Sequence, residues 1–441
     1  MSMTSTIEIP KLRWWRILPP CLLAYVLSFL DRLNFGFAMA GGMPRELGMT
    51  ATVAGLAAGV FSFGYLLLQV PGGDYASKRS ARTVVAIIMF AWGLVAMATG
   101  LCQNTTQLIG ARFLLGVAEG GLWPAVFVLI SDWFPSEELA RANAVFTMGA
   151  TVAQAINGPL SGWLVSAYGW RDLFFIEGAF PIIGLLIWLP LISDRPEQAK
   201  WLSVSERDYV VNKIKAEQEA LKQKEAGKTV SYKELCKQVN LWKLVAVYFC
   251  FQVGVTAYVY WLPTIMSQLT KAGLALTGWL VVVPYLSSII GLFFFAASSD
   301  RSGNRRLFVA LPAIGAAICL FLSVQVKEMI WVSYTFLALS GLFYGSHNGV
   351  FWSIPPALFP REVAGGARGI INGMGNLGGF IGPTMVGWFI TISGNSDGGI
   401  YGMVIAWLLA CVCVYALPKS LSKLAPKVPA ATSGGPKHAA T

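Results

Sequence analysis

Twelve stretches of about 20 predominantly apolar residues, each long enough to cross the hydrocarbon core of a bilayer as one helix, run through the 441-residue chain. They fall near residues 17–40, 52–76, 83–101, 106–131, 141–166, 171–192, 242–265, 275–298, 306–326, 329–353, 362–391 and 398–418. Such a pattern leaves one fold class, an all-α membrane protein of twelve transmembrane helices. The 12% of charged residues agrees with it, because an ordinary soluble chain carries about 25%.

The net charge of +11 raises nucleic acid as a partner, so the placement of the basic residues decides. With the amino terminus in the cytoplasm, Lys11, Arg13, Arg16, Lys78, Arg79, Arg82, Arg301, Arg305, Arg306, Arg361, Arg368 and the basic tail share the cytoplasmic side. The other side holds only Arg45, Arg171, Lys271 and Lys327. This is the positive-inside pattern. Both termini are expected in the cytoplasm, and the basic charge is matched to the lipid bilayer and not to nucleic acid. The seven cysteines are odd in number, fall mostly within spans and show neither disulfide nor zinc spacing. The first apolar stretch is too long for a cleavable signal. No Walker-type sequence is present, which disfavours ATP as the driving force.

Residues 193–241 are the one long polar segment between spans. They divide an amino-terminal six-helix bundle (1–192) from a carboxy-terminal one (242–418), with a disordered cytoplasmic tail expected over 419–441. Glu206, Lys213, Lys215, Glu217, Glu219 and Lys222 fit a solvated helix at the cytoplasmic surface. The halves repeat. Gly158-Pro159 returns as Gly382-Pro383, Phe134-Pro135-Ser136-Glu137 as Phe359-Pro360-Arg361-Glu362, and the basic turn after Ser77 as that after Asp300. Three matches in order at nearly one offset argue for a duplicated six-helix unit, and parallel repeats rocking about a midplane site are a transporter architecture.

Four ionisable residues, Asp31, Arg32, Arg112 and Glu119, lie inside the spans and sum to zero charge. A charge at the bilayer centre costs roughly 2.5–3.5 kcal/mol even on gentle scales, so these should be paired or face water. Their counterparts in the second half are Val255, Thr256, Phe336 and Phe343, which confines charge handling to the first. Arg112 and Glu119, two helical turns apart, share a face, suiting a guanidinium for anion binding and a carboxyl for proton coupling. An ion pair from Arg112 to Glu119 or Asp31 is the structural alternative. Asp31 and Arg32 lie about 100° apart and cannot point at one spot. In the second half, polar residues including Gln252, Tyr260, His347, Trp352, Asn372 and Asn376 interrupt the apolar spans and are candidates for specificity. His347 is titratable there, though a lone His in an apolar helix is more often a packing residue. Glu177 reads as a structural partner for Arg171 or backbone groups.

The segments Ser28-Phe29-Leu30-Asp31-Arg32-Leu33-Asn34, Arg112-Phe113-Leu114-Leu115-Gly116-Val117-Ala118-Glu119-Gly120, Phe175-Ile176-Glu177-Gly178 and Asp194-Arg195-Pro196-Glu197 resemble the major facilitator superfamily. Within it they resemble the anion:cation symporter group, whose bacterial members carry sugar acids, tartrate, phthalate and hydroxyphenylacetate. The resemblance implies proton coupling at Asp31 and Glu119 and substrate binding at Arg112. It makes Arg32 a second carboxylate contact or a charge that tunes Asp31, and brings Tyr65, Trp352 and Asn372 to the substrate. Asn376 lies one turn from Asn372. The family's gating loop, retained as Asp300, Arg301, Gly303 and Arg305, departs from its pattern in the first copy at Ser77 and Ser80, where Asp74 is a candidate to compensate. The expected activity is proton-coupled import of a small carboxylate by a monomer, driven by the proton gradient without a bound cofactor. An anion exchanger and a transport-inactive ligand sensor are the alternatives. An enzyme is disfavoured, because no catalytic or metal-ligating grouping has suitable spacing.

Overall fold

The computed structural model describes residues 12–225, 232–359 and 361–422, and among these every regular element is a helix. Among these residues, nine helices are long and apolar enough to cross a membrane. The three expected spans missing from that group have local reasons. The fifth, Ser136–Tyr168, is diluted by Thr151, Gln154, Asn157 and Ser161. The tenth breaks into Ile330–Tyr344, His347–Phe351 and Pro355–Leu358, and the eleventh into Arg361–Gly375 and Gly378–Ser393. The fourth span is also interrupted, between Thr105–Glu119 and Leu122–Trp133.

These features repeat with the period of the sequence. The break of the fourth span at Gly121 and that of the tenth at Gly345 are 224 residues apart. So are Ser80 and Asn304, whose side chains accept a backbone N–H and cap the third and ninth spans. Such caps satisfy amide groups that the first turn leaves free.

Packing follows the same symmetry. The first span packs on the fifth and sixth, and the seventh packs on the eleventh and twelfth. Between halves, the second span packs on the eleventh and the eighth on the fifth, with the first against the seventh at the centre. Large apolar side chains such as Val70, Leu186, Phe293 and Trp331 remain exposed around the outside, as a chain solvated by lipid allows.

The halves touch at one end. Among the described residues, their hydrogen bonds, aromatic pairs and close glycine contacts lie between the span midpoints and the loops near residues 41–50, 271–273 and 394–395. They include Thr52 to Thr391, Phe63 against Phe380, and Phe35 against Tyr260. A Cβ on Gly55 would run into the carbonyl of Pro383, and one on Gly278 into Gly158. Only residues without a side chain let helix backbones approach so closely.

The central segment departs from expectation. Helix Val204–Glu225 forms, but its first turn is docked and not solvated: Glu206 is fully buried and pairs with buried Arg13 at 2.8 Å, which also reaches Glu138 at 2.6 Å. Lys213 pairs with Glu137, a hydrogen bond that raises the Lys213 pKa. Trp201 stacks on Trp133 with centroids 5.3 Å apart. Residues 423–441, most of the expected tail, lie outside the described residues.

Candidate functional site

Span one presents two polar faces, because Ser28 and Arg32 are four apart and Asp31 and Asn34 three apart. Arg32 Nε donates to Glu119 Oε2 at 2.8 Å, and Ser28 Oγ donates to the same oxygen at 2.8 Å. Glu119 is fully buried, whereas the Arg32 side chain is 17% exposed and is the one member of the quartet that reaches open space. Its guanidinium lies 4.3 Å from the Tyr65 ring centroid and 5.2 and 5.1 Å from those of Phe29 and Phe61, where cation–π attraction holds it in place.

Arg112 is different. It is fully buried and no carboxylate lies within 4.0 Å of it among the described residues. Its one hydrogen bond goes to the Tyr260 hydroxyl at 3.5 Å, and Nε and Nη1 have no partner. The ring of Phe35, 4.4 Å away, covers one face. Neither ion pair that the spacing left open for Arg112 is formed, since Glu119 is taken by Arg32.

On the other face of span one, Asp31 is 1% exposed and Asn34 Nδ2 donates to its Oδ1 at 3.4 Å. The same amide nitrogen donates to Glu177 Oε2 at 2.9 Å, and Ser161 Oγ lies 2.7 Å from Glu177 Oε1. This corrects the reading of Glu177: Arg171 binds Glu46 instead, and Glu177 is a buried partner of the first and fifth spans. The adjacency of Asn34 to Asp31 by one turn was the sequence signal for this network, and Ser28, one turn before Arg32, for the other.

In the second half, Asn376 accepts from Gln252 Nε2 at 2.9 Å and donates to Asn372 at 3.3 Å. All three are half-buried, as is Trp352, which packs edge-on against Tyr248. The break at Asn376-Leu377 places this amide cluster at a helix interruption. His347 is not brought to it. It is buried, stacked on Phe251 at 3.8 Å and edge-on to Trp407. In the gating loop, Gly303 ends the eighth span at φ 67° and Arg305 holds the Ser353 carbonyl at 2.6 Å, while Asp300 and Arg301 are exposed. Asp74 pairs with Lys78 one turn away, and Ser80 binds Asp194. Two cavities of about 210 and 270 Å³ lie at span ends, away from the quartet.

Residues 21–383 match the family model of the Major Facilitator Superfamily. The chain belongs to that superfamily. As a member it is a multi-pass membrane transporter and not an enzyme. It is 33% identical over 438 residues to a protein of Agrobacterium vitis that bears the name of a tartrate transporter, covering 96% of this chain and 99% of that one. It is 31% identical to a quinolone resistance transporter of Acinetobacter baumannii, over 93% and 94% of the two chains. A bacterial homolog of the human lysosomal transporter Spinster shares the fold with a TM-score of 0.73 at 14% identity, over 92% of this superfamily member and 97% of that structure.

Proposed function

We propose that this transporter imports a small organic anion, a sugar acid, hydroxy acid or aromatic carboxylate, together with protons. The supporting observation is Arg112, a buried guanidinium with two unpartnered nitrogens and, among the described residues, no carboxylate within 4.0 Å. An uncompensated buried charge is costly, and a planar donor fork matches a carboxylate. The relative that bears the name of a tartrate transporter supports the same ligand class.

Arg32 is the second anion contact, and Glu119 competes with the substrate for it. Protonation of Glu119 frees the Arg32 guanidinium, so proton uptake and anion binding reinforce each other. Charge balance gives the same sign: an anion entering a neutral quartet adds a negative charge that a proton offsets. Tyr65, Trp352, Asn372 and Asn376 supply the rest of the pocket, the amides meeting substrate hydroxyls. His347, packed against Phe251 and Trp407, stays outside this pocket. The protein is proposed to cross the membrane twelve times as two six-helix bundles (1–192 and 242–418), with both termini cytoplasmic, to act as a monomer and to need no bound cofactor. In that orientation the closed end is external, and Asp300, Arg301, Gly303 and Arg305 belong to the cytoplasmic gate.

Uptake by purified protein in liposomes, over a panel of sugar acids, hydroxy acids and aromatic acids, tests the proposal. An inward proton gradient is expected to drive accumulation by the wild type. Glu119→Gln should abolish that accumulation while leaving substrate exchange. Accumulation that requires a counter-anion inside would make the protein an exchanger, and binding without flux would make it a sensor.

A further inference from the structure

The quartet read from the sequence is neutral, but the structure buries a fifth charge beside it. Glu177 is 2% exposed, and its nearest polar neighbours are Asn34 and Ser161. The sixth span carries it two turns from its Trp170 start. The third span, which packs on the sixth, presents Ala96 and Met97 to this stretch. Asp31 feels the charges of Glu119, Arg112 and Glu177, and no cation lies within 4.0 Å of Asp31 or Glu177 among the described residues. Two guanidinium groups therefore face three carboxyl groups.

Hydrogen-bond bookkeeping points the same way. Asn34 donates from one nitrogen to both carboxyl groups while its own Oδ1 has no donor, and Asp31 Oδ2 has no partner. The Ser161 hydroxyl has one hydrogen but lies 2.7 Å from Glu177 Oε1 and 3.0 Å from Asn157 Oδ1. A proton on Glu177 lets its carboxyl donate to Ser161 Oγ, which leaves the serine hydrogen for Asn157.

We propose that Asp31 and Glu177, bridged by Asn34, form a two-carboxyl unit that holds one proton in the resting protein, making Glu177 a further proton-carrying residue of the transport cycle. One bound proton brings the five charges to neutrality. The unit sits on a face of span one about 100° from Arg32, and among the described residues neither Asp31 nor Glu177 shares a hydrogen bond with Arg32 or Glu119, so this proton is distinct from the one that frees Arg32. Its part in transport rests on the proton-coupled reading above; the resting proton itself does not.

Two measurements separate these claims. Infrared spectra of the substrate-free protein near neutral pH are expected to show a protonated-carboxyl C=O band that Glu177→Gln removes and Ser161→Ala shifts. The band persisting unchanged in both variants would overturn the proposal. In liposomes, Glu177→Gln should retain substrate exchange and shift the pH profile of gradient-driven uptake, leaving only the part set by Glu119. A wild-type pH profile in that variant would also overturn it, as would uptake driven by a sodium gradient, which would place a metal cation among these oxygens. Should the wild type show no proton-driven uptake while the band behaves as expected, the transport reading fails and the resting proton stands.

Discussion

At the residue scale the two arginines make opposite predictions. Arg32 compensates buried Glu119 at 2.8 Å, and removing one partner of a buried pair leaves an uncompensated charge worth about 3–5 kcal/mol. Arg32→Met should therefore lower the melting temperature clearly. Arg112 has no such partner among the described residues, and replacing an unpaired buried charge by an apolar side chain of similar length is neutral to stabilising. Arg112→Met should leave the melting temperature unchanged or raised, yet weaken carboxylate binding at least a hundredfold, about 2.8 kcal/mol at 1.4 per tenfold. Thermal unfolding and a direct binding measurement on both variants check this, and a large stability loss in Arg112→Met would show that an ion pair holds that side chain. The four charges were plain in the sequence because apolar spans make any charge conspicuous. Their pairing was not. Seven-residue spacing put Arg112 and Glu119 on one face, but the orientation of span one, which delivers Arg32 to Glu119 and turns Asp31 away, depends on neighbouring helices. Glu177 was misread for the same reason, since nothing local says that Asn34 will reach it.

At the element scale, the informative feature is interruption. Spans four and eleven break beside the quartet and the amide cluster, at Gly120-Gly121 and Asn376-Leu377, and span ten breaks at Gly345-Ser346. Broken helices expose backbone polar groups where a cavity can use them, which is how many transporters build a midplane site. Hydropathy averages over about 20 residues and so passes across such breaks without registering them. The repeat itself was legible, because Gly-Pro pairs and basic turns are local signatures. A loop contact at the closed end gives a pH prediction. Glu46 accepts the Trp170 indole N–H at 2.6 Å and binds Arg171, and these bonds hold its carboxyl below the ordinary value of 4.5. A lowered folded-state pKa contributes stability at higher pH and loses it as pH falls through the folded value. The stability difference between wild type and Glu46→Gln should be complete at neutral pH and vanish only on the acid side of 4.5. Melting curves across that range check it, and a difference that persists unchanged in acid would assign the effect to packing.

For the whole molecule, contact between the halves at one end is a statement about alternating access. Gly55 against Pro383 and Gly158 against Gly278 are related by the internal repeat and close the same end. A leucine at Gly55 cannot be accommodated against the Pro383 backbone without separating the second and eleventh spans. Gly55→Leu should push that end open, lengthening the distance between spin labels at exposed Arg45 and Glu328, with loss of exchange as well as accumulation. An unchanged distance would show that other contacts hold the end shut. At the opposite end a different limit applies. Helix Val204–Glu225 is fastened to the first half by Arg13 and Glu206, whereas Tyr232–Lys237 packs on the seventh and eleventh spans of the second. Seven peptide links join Glu225 to Tyr232, and a fully extended chain covers at most ~3.6 Å per link, so those two points can never stand more than about 25 Å apart. The central segment is in effect a leash of fixed length, which caps how wide this end can swing and so limits the bulk of any substrate that passes through it.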